Sequence, residues 1–315
     1  MKQPKPAAGA TAEAAQQEPG MTTLQKPPLS LFLSYYKPHR KLLLLDLLCA
    51  LGISLIDLAF PMATRHALQV MLPQGLFWQF YLLIGSFVLL YLLRTLMQFV
   101  ITYWGHLLGA RMEADMRGDL FSHLQKLSHR FYDGTRTGQL MSRVVNDLFE
   151  ISELAHHGPE DLFISILMLA GSFIALMSIQ WRLAIVLFTA IPLILAFVLL
   201  QRRNMSKASK EVKQKTGVLN AQLENSISGI RVAKAFTNEE FEIEKFGEDN
   251  NAFRNAKRGF YHAMAVFHSV MNAMTGILNV IVIGVGGLLI QRQLMSFADL
   301  VAFTLYVGAF LSPIQ

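Results

Sequence analysis

The strongest constraint on this chain is an alternation: apolar stretches long enough to cross a lipid bilayer, separated twice by polar stretches far too long to be turns. Six segments reach that length, at 42–62, 77–103, 162–179, 183–200, 264–290 and 300–314; the measure is roughly 30 Å of hydrocarbon at about 1.5 Å of rise per helical residue. Backbone N–H and C=O groups find no water in hydrocarbon, so each segment must be helical. The second-to-third and fourth-to-fifth connections each run to about sixty residues, where neighbouring helices need only a few. They must carry structure of their own.

Hydrophobic residues make up 53% of the 315-residue chain, which excludes an ordinary soluble domain and points to an all-α membrane protein crossing the bilayer six times. A net charge of +6 could signal nucleic acid, but the Lys and Arg residues fall in the segments that flank the apolar stretches. Topology accounts for them, and no nucleic-acid partner is expected. The first long connection carries Arg111, Arg117, Lys126, Arg130, Arg136 and Arg143, and the second is richer still, whereas the short connections hold only Arg65, Arg182 and Arg292. Together with Lys37, Arg40 and Lys41 ahead of the first span, this places the N-terminus and both long connections in the cytoplasm of a multi-pass cell-membrane protein. Cys49 is the only cysteine, so no intramolecular disulfide and no thiolate metal site can form. Residues 1–28, rich in Ala, Gln, Pro and Glu, read as a disordered tail without the apolar core of a signal peptide. Residues 29–39 read as a short interfacial helix, its aromatics at headgroup level.

The polar stretch 117–147 organises the rest. Leu120, Phe121, Leu124, Leu127 and Phe131 recur at three- and four-residue steps, which predicts an amphipathic helix leaving the bilayer and continuing into water. Asp133-Gly134 and Thr137-Gly138 are expected to break it, and the register resumes at Leu140, Met141, Val144, Val145 and Leu148. That describes a helical hairpin with its tip at 133–139. A second hairpin follows: 204–223 is Lys-, Gln- and Ala-rich, and 239–261 is free of Pro, with Phe241, Phe246, Phe253 and Phe260 in helical register. Its tip is expected at 224–234, where Ser226, Ser228 and Gly229 interrupt the helix and Ile227, Ile230 and Val232 offer an apolar face among charges. One helix from 77 to 127 would be about 75 Å long and reach about 45 Å past the bilayer core. Two such tips suit a docking surface with two contact points.

These residues resemble the transmembrane domain of a bacterial ABC exporter of the half-transporter type. Phe131-Tyr132-Asp133, Thr137-Gly138, Leu140, Ser142-Arg143 and Asn146-Asp147 are similar to that family's first intracellular loop. Glu224, Gly229-Ile230, Val232, Lys234, Phe236, Glu240 and Phe246 are similar to the second, and Gly286-Gly287, 300–303 and Pro313 to its last helical hairpin, with Ala298 where glycine is more usual and a changed turn therefore expected. The resemblance spans 29–315 and implies a domain with two coupling helices seated on nucleotide-binding domains, one on its own subunit's and one on a second subunit's. On that reading Phe131, Tyr132, Asp133, Thr137, Gly138, Arg143 and Asp147 serve the first contact, and Glu224, Ile227, Ile230, Arg231 and Lys234 the second. It further implies a homodimer or heterodimer in a bacterial plasma membrane that exports a drug, lipid or peptide. ATP and Mg would bind outside these residues: no G-x-x-x-x-G-K-[ST] loop is present, the chain stops within the sixth span, and no catalytic residue and no ATPase activity are expected of 1–315.

Ionisable groups in apolar segments are costly and draw a functional reading. Asp57 is a candidate for the substrate pathway, whereas Asp46 and Arg94 could sit at cytoplasmic span ends, snorkelling or pairing. Asn272 and Asn279, seven apart on one helix face, either line a cavity or hydrogen-bond between helices. Phe267, Met271 and Met274 could form an adaptable apolar wall for a hydrophobic substrate, or pack as ordinary core. His156-His157 shows no metal-ligand spacing, so no metal is expected there and both read as surface or packing residues. Pro192 is expected to kink the fourth span. Two other functions fit less of the chain: a secondary carrier with Asp57 as its ion site leaves the hairpins without a role, and a membrane scaffold uses the tips but moves nothing.

Overall fold

A computed structural model describes residues 27–135 and 137–314, and among them there is no strand. Helix α1 spans Pro28–Ser34, and α2 spans Arg40–His66 and continues through a π-helical turn, Ala67–Met71. Helix α3, Phe77–Val100, passes through a second π turn, Ile101–Gly105, into α4, His106–Leu124, so the backbone stays helical over 48 residues. Two short helices follow, α5 at His129–Asp133 and α6 at Thr137–Ser142, and a third π turn, Arg143–Asp147, leads into α7, Leu148–Ser228. Helix α8 is Ile230–Ala235, α9 runs over Glu239–Gln291, and α10 is Phe297–Leu311, closed by a 3-10 turn at Ser312–Ile314. At 53 residues, α9 alone is about 80 Å long.

Five helical runs are long and apolar enough to cross a membrane. The six expected segments fit them because the longest run contains two: α7 is broken at Gln180, whose φ of −156° and ψ of 94° are extended, between the segments 162–179 and 183–200. Pro192 does not make that break; it lies in the continuous second half of α7. Gln180 is held by its side chain, whose Nε2 donates to the Leu294 carbonyl at 2.6 Å. No residue of α3 is fully buried; one face packs on α2, with Phe87 edge to face on Phe60 at 5.4 Å, and its many exposed apolar side chains are left to lipid or another chain.

Several local expectations need correction. The helix leaving the bilayer ends at Leu124, not beyond Phe131, because the chain turns at Gln125–Ser128 and restarts as α5. Thr137-Gly138 opens α6 and does not break a helix. At the second tip Ser226 and Ser228 remain helical, and only Gly229 interrupts. The predicted tail lies, up to residue 26, outside the described residues. The interfacial helix is seven residues long and not eleven: Tyr35–His39 is a turn, as Pro38 disfavours helical conformation in the residue before it. Ala298 has no bearing on the turn before α10, which is made by Gln293 at a φ of 56°; Ala298 packs, buried, in the first turn of that helix.

The chain divides into two compact units, one built from residues up to Ile53 plus Leu93–Ile164, the other from Ser54–Leu92 plus Ser165 onward. In the first, Tyr36, Leu108, Met112, Met116, Leu148 and Ala155 form a buried cluster. The expected headgroup aromatics are thus partly inside protein: Tyr36 Oη donates to the Ala155 carbonyl at 2.6 Å, Tyr35 Oη donates to Asp119 at 2.9 Å, and a His39 ring nitrogen lies 2.8 Å from Asp115. Burial, and then the Asp119 hydrogen bond, pushes the Tyr35 phenol from 10.0 up to about 12. A raised folded pKa stabilises fully below the unfolded value and loses that contribution as pH climbs through the folded one. Attachment of α1 should therefore hold up to about pH 10 and weaken toward pH 12, read as amide exchange across 28–39, and Tyr35→Phe should flatten that step; an unchanged profile in the variant would refute the assignment.

The second unit has the larger core, including Leu176, Leu183, Leu187, Val282, Phe303 and Tyr306. Polar groups tie its helices at single points: Tyr306 Oη donates to the Leu58 carbonyl at 2.5 Å, and Gln201 Nε2 to the Ala263 carbonyl at 2.9 Å. A Cβ on Gly171 would collide with Leu58, and one on Gly286 with Leu300. Small residues there let neighbouring helices approach.

Candidate functional site

The two hairpin tips carry most of the candidate residues, and each is described within its own unit. In the first, Ser128 lies in extended conformation before α5 and Gly134 ends that helix. Phe131 and Tyr132 stand exposed on α5, their rings edge to face at 5.3 Å, and Tyr132 Oη donates to the Leu124 carbonyl at 2.5 Å. That bond ties the short helix back to the end of α4. Asp133, Thr137, Gly138, Arg143 and Asp147 are all exposed, the last two at either end of the π turn. Arg117, on α4, pairs with Glu113 and donates from Nε to the Val144 carbonyl at 3.3 Å, which joins the outgoing helix to the returning one.

The second tip is a short helix between two sharp turns. Gly229 N–H donates to the Asn225 carbonyl at 2.8 Å, and Thr237, at a φ of 53°, turns the chain after α8. Ser226 Oγ donates to Glu242 at 2.5 Å and Gln222 Nε2 reaches the same carboxylate at 3.4 Å, clamping the end of α7 to the start of α9. Between them lies a cleft of about 450 Å³ lined by Ser226, Gly229, Val232, Phe236, Asn238 and Glu242. Ile227 is 69% exposed, Val232 62% and Phe236 80%. An apolar cluster this open, framed by the exposed Glu224, Arg231 and Lys234, has the composition of a docking face.

Of the six substrate-pathway candidates, five lie on α9 and Asp57 lies on α2. Asp57 is half-buried on α2 and has a partner within the protein. Met271 is enclosed in the core of the second unit, Met274 packs against that core, and Phe267 stacks on Phe197 at 6.3 Å. Asn272 is exposed and Asn279 half-buried. What the second unit does offer is an apolar groove of about 580 Å³, lined by Leu169, Phe173, Ile174, Ile191, Leu195 and Phe310 among others. Sequence reading did not find it, because its lining comes from α7 on both sides of Gln180 and from α10.

Two further features escaped the sequence. Arg65 and Asp299, 234 residues apart, form an ion pair at 2.5 Å, while Asp299 also closes a capping box with Ser296 at the start of α10; the S-x-x-D spacing was a legible signal for the cap, not for the pair. Asp46 does not snorkel: it is buried in the first unit with His156 and Glu160.

Comparison with known proteins places this geometry. The family described as ABC transporter transmembrane region matches residues 43–314. An uncharacterized ABC transporter ATP-binding protein of Bacillus subtilis, YwjA, is 40% identical over 90% of this chain and 49% of its own length. The putative multidrug export ATP-binding/permease protein YgaD of the same organism is 24% identical over 90% of this chain and 50% of its own. The ATP-dependent lipid A-core flippase of Idiomarina loihiensis is 27% identical over 78% of this chain and 42% of its own. The chain spans about half the length of the curated relatives it matches.

Proposed function

This chain belongs to the ABC transporter transmembrane region family, and from that membership we propose that it is the membrane-embedded part of an ATP-driven exporter working by alternating access. Helices α5 and α8 are its contacts with nucleotide-binding domains, which supply ATP and Mg from outside these residues. A second transmembrane subunit, identical or related, completes the pathway, and the N-terminus and both tips face the cytoplasm of a bacterial cell. The observation that carries this reading is the pair of short exposed helices, α5 tied by Tyr132 to the end of α4 and α8 set between the clamped ends of α7 and α9, on long helices that run back to the apolar segments. A helix transmits displacement with little internal give, so closure of a motor at the tips reaches the membrane.

The substrate class is hydrophobic or amphipathic: a drug, lipid or peptide. The groove at Phe173 and Phe310 bears no charged residue among its lining side chains, and the names of YgaD and of the lipid A-core flippase speak of multidrug export and of lipid A. Reversing charge at either Arg143 or Glu224 tests the coupling. Each reversal should lower vesicle transport about tenfold, the worth of roughly 1.4 kcal/mol at a contact, while leaving ATP hydrolysis running. Coupling that survives both changes, or transport that a protonophore abolishes in the presence of ATP, would overturn the proposal.

A further inference from the structure

Asp46 on α2 and His156 and Glu160 on α7 meet inside the first unit, at 1%, 3% and 7% exposure. One ligand atom from each lies within 4.8 Å of the other two. Asp46 Oδ1, His156 Nδ1 and Glu160 Oε2 are buried and have no hydrogen-bond partner. The His156 Nδ1 to Glu160 Oε2 distance is 3.7 Å, beyond hydrogen-bond reach. The His156 ring lies close against backbone: a Cβ on Gly105, in the π turn between α3 and α4, would collide with it. Buried polar atoms are nearly always satisfied, and three on neighbouring side chains left without a partner call for a common one.

We propose that Asp46, His156 and Glu160 bind one divalent first-row transition-metal ion, of which Zn²⁺ and Mn²⁺ are the probes, and that the ion staples α2 to α7. Two buried carboxylates repel one another, and a divalent charge offsets both. An imidazole nitrogen among the donors selects against Mg²⁺ and Ca²⁺, which take six or more oxygens. Ligand atoms around a tetrahedral ion with bonds of about 2.1 Å are about 3.4 Å apart, so the 3.7 Å pair is already close to a bound geometry. As a ligand, His156 Nδ1 carries no proton, and further positions on the ion are left to water or another side chain.

His106 and His157 form a second group with His156, with ring centroids at 4.6 Å and 4.5 Å from it. Both are exposed, and His106 Nδ1 already has the Thr102 carbonyl at 2.7 Å. Satisfied, solvated groups have less to gain from an ion than stranded ones. The buried triad is the site.

The test uses the intact transporter purified from membranes, stripped with a chelator and dialysed against Zn²⁺ or Mn²⁺. One ion per chain should remain by elemental analysis, and free metal at a hundred times its dissociation constant should shift the unfolding equilibrium about a hundredfold toward the folded state, reversed by chelator. Asp46→Asn and Glu160→Gln should each remove the ion, whereas His106→Ala with His157→Ala should keep it. If the variants fail to fold, zinc-edge X-ray absorption of the unaltered protein decides: one imidazole with oxygen ligands supports the site, and two or three imidazoles overturn it in favour of the exposed histidines. A protein that retains no metal and melts at the same temperature with or without it also overturns the proposal.

Discussion

Aspartate at both Ile230 and Val232 is expected to cut substrate transport about a hundredfold in reconstituted vesicles. Both side chains are exposed on α8, so the change costs the isolated membrane domain little, and insertion and melting temperature should stay near those of the parent. The cost falls on the proposed docking contact, where each buried carboxylate without a partner opposes association by at least about 1–3 kcal/mol, and each 1.4 kcal/mol is about tenfold. Alanine at the same two positions removes apolar area without adding charge and should do much less. ATP hydrolysis should persist but no longer respond to substrate. Transport within twofold of the parent would mean that α8 touches nothing that drives the cycle.

The second large effect is one of stability and sits at Asp299. Its carboxylate accepts from the Ser296 N–H at 2.9 Å and from Arg65 Nε at 2.5 Å, while its own N–H donates to Ser296 Oγ at 3.1 Å. Asp299→Ala therefore removes half of a capping box and leaves the Arg65 guanidinium, 29% exposed, without its anion. Loss of that half of the box costs about 0.5–1 kcal/mol and the stranded partner a further part of the 3–5 kcal/mol seen for fully buried pairs. A total of about 2–4 kcal/mol is expected, measured as a lower melting temperature and a shorter half-life at fixed temperature in detergent. Arg65→Met should cost less, since Asp299 keeps its backbone donor. If the double variant is no more stable than the sum of the two singles predicts, the pair is not coupled and the short distance has no energetic meaning.

Hydropathy and spacing alone carried a long way here because the bilayer is so restrictive a solvent. Six apolar segments had to be helices, and two connections of about sixty residues had to be something more than links. Both are visible in α4, α7 and α9 as continuations of apolar runs. The tips were legible in kind, but their edges were not. Thr137-Gly138 reads as a breaker by composition and yet begins α6, and Ser226 reads as an interruption and yet stays helical, its hydroxyl occupied by Glu242 sixteen residues on. Propensity is a local quantity, and a partner from the next helix outweighs it.

What the sequence determined by itself was the class of the protein, the apolar segments long enough to cross a membrane and the polar hairpins between them, because each follows from a pattern read along one segment. What only the tertiary structure decided was which side chains share a place: Arg65 with Asp299 across 234 residues, Gln180 with Leu294 across 114, and Asp46 with His156 and Glu160. Periodicity assigns a residue to a face but is silent on what lies opposite. The partner of a buried charge is chosen by the packing of helices far apart in the chain, where desolvation makes the choice decisive.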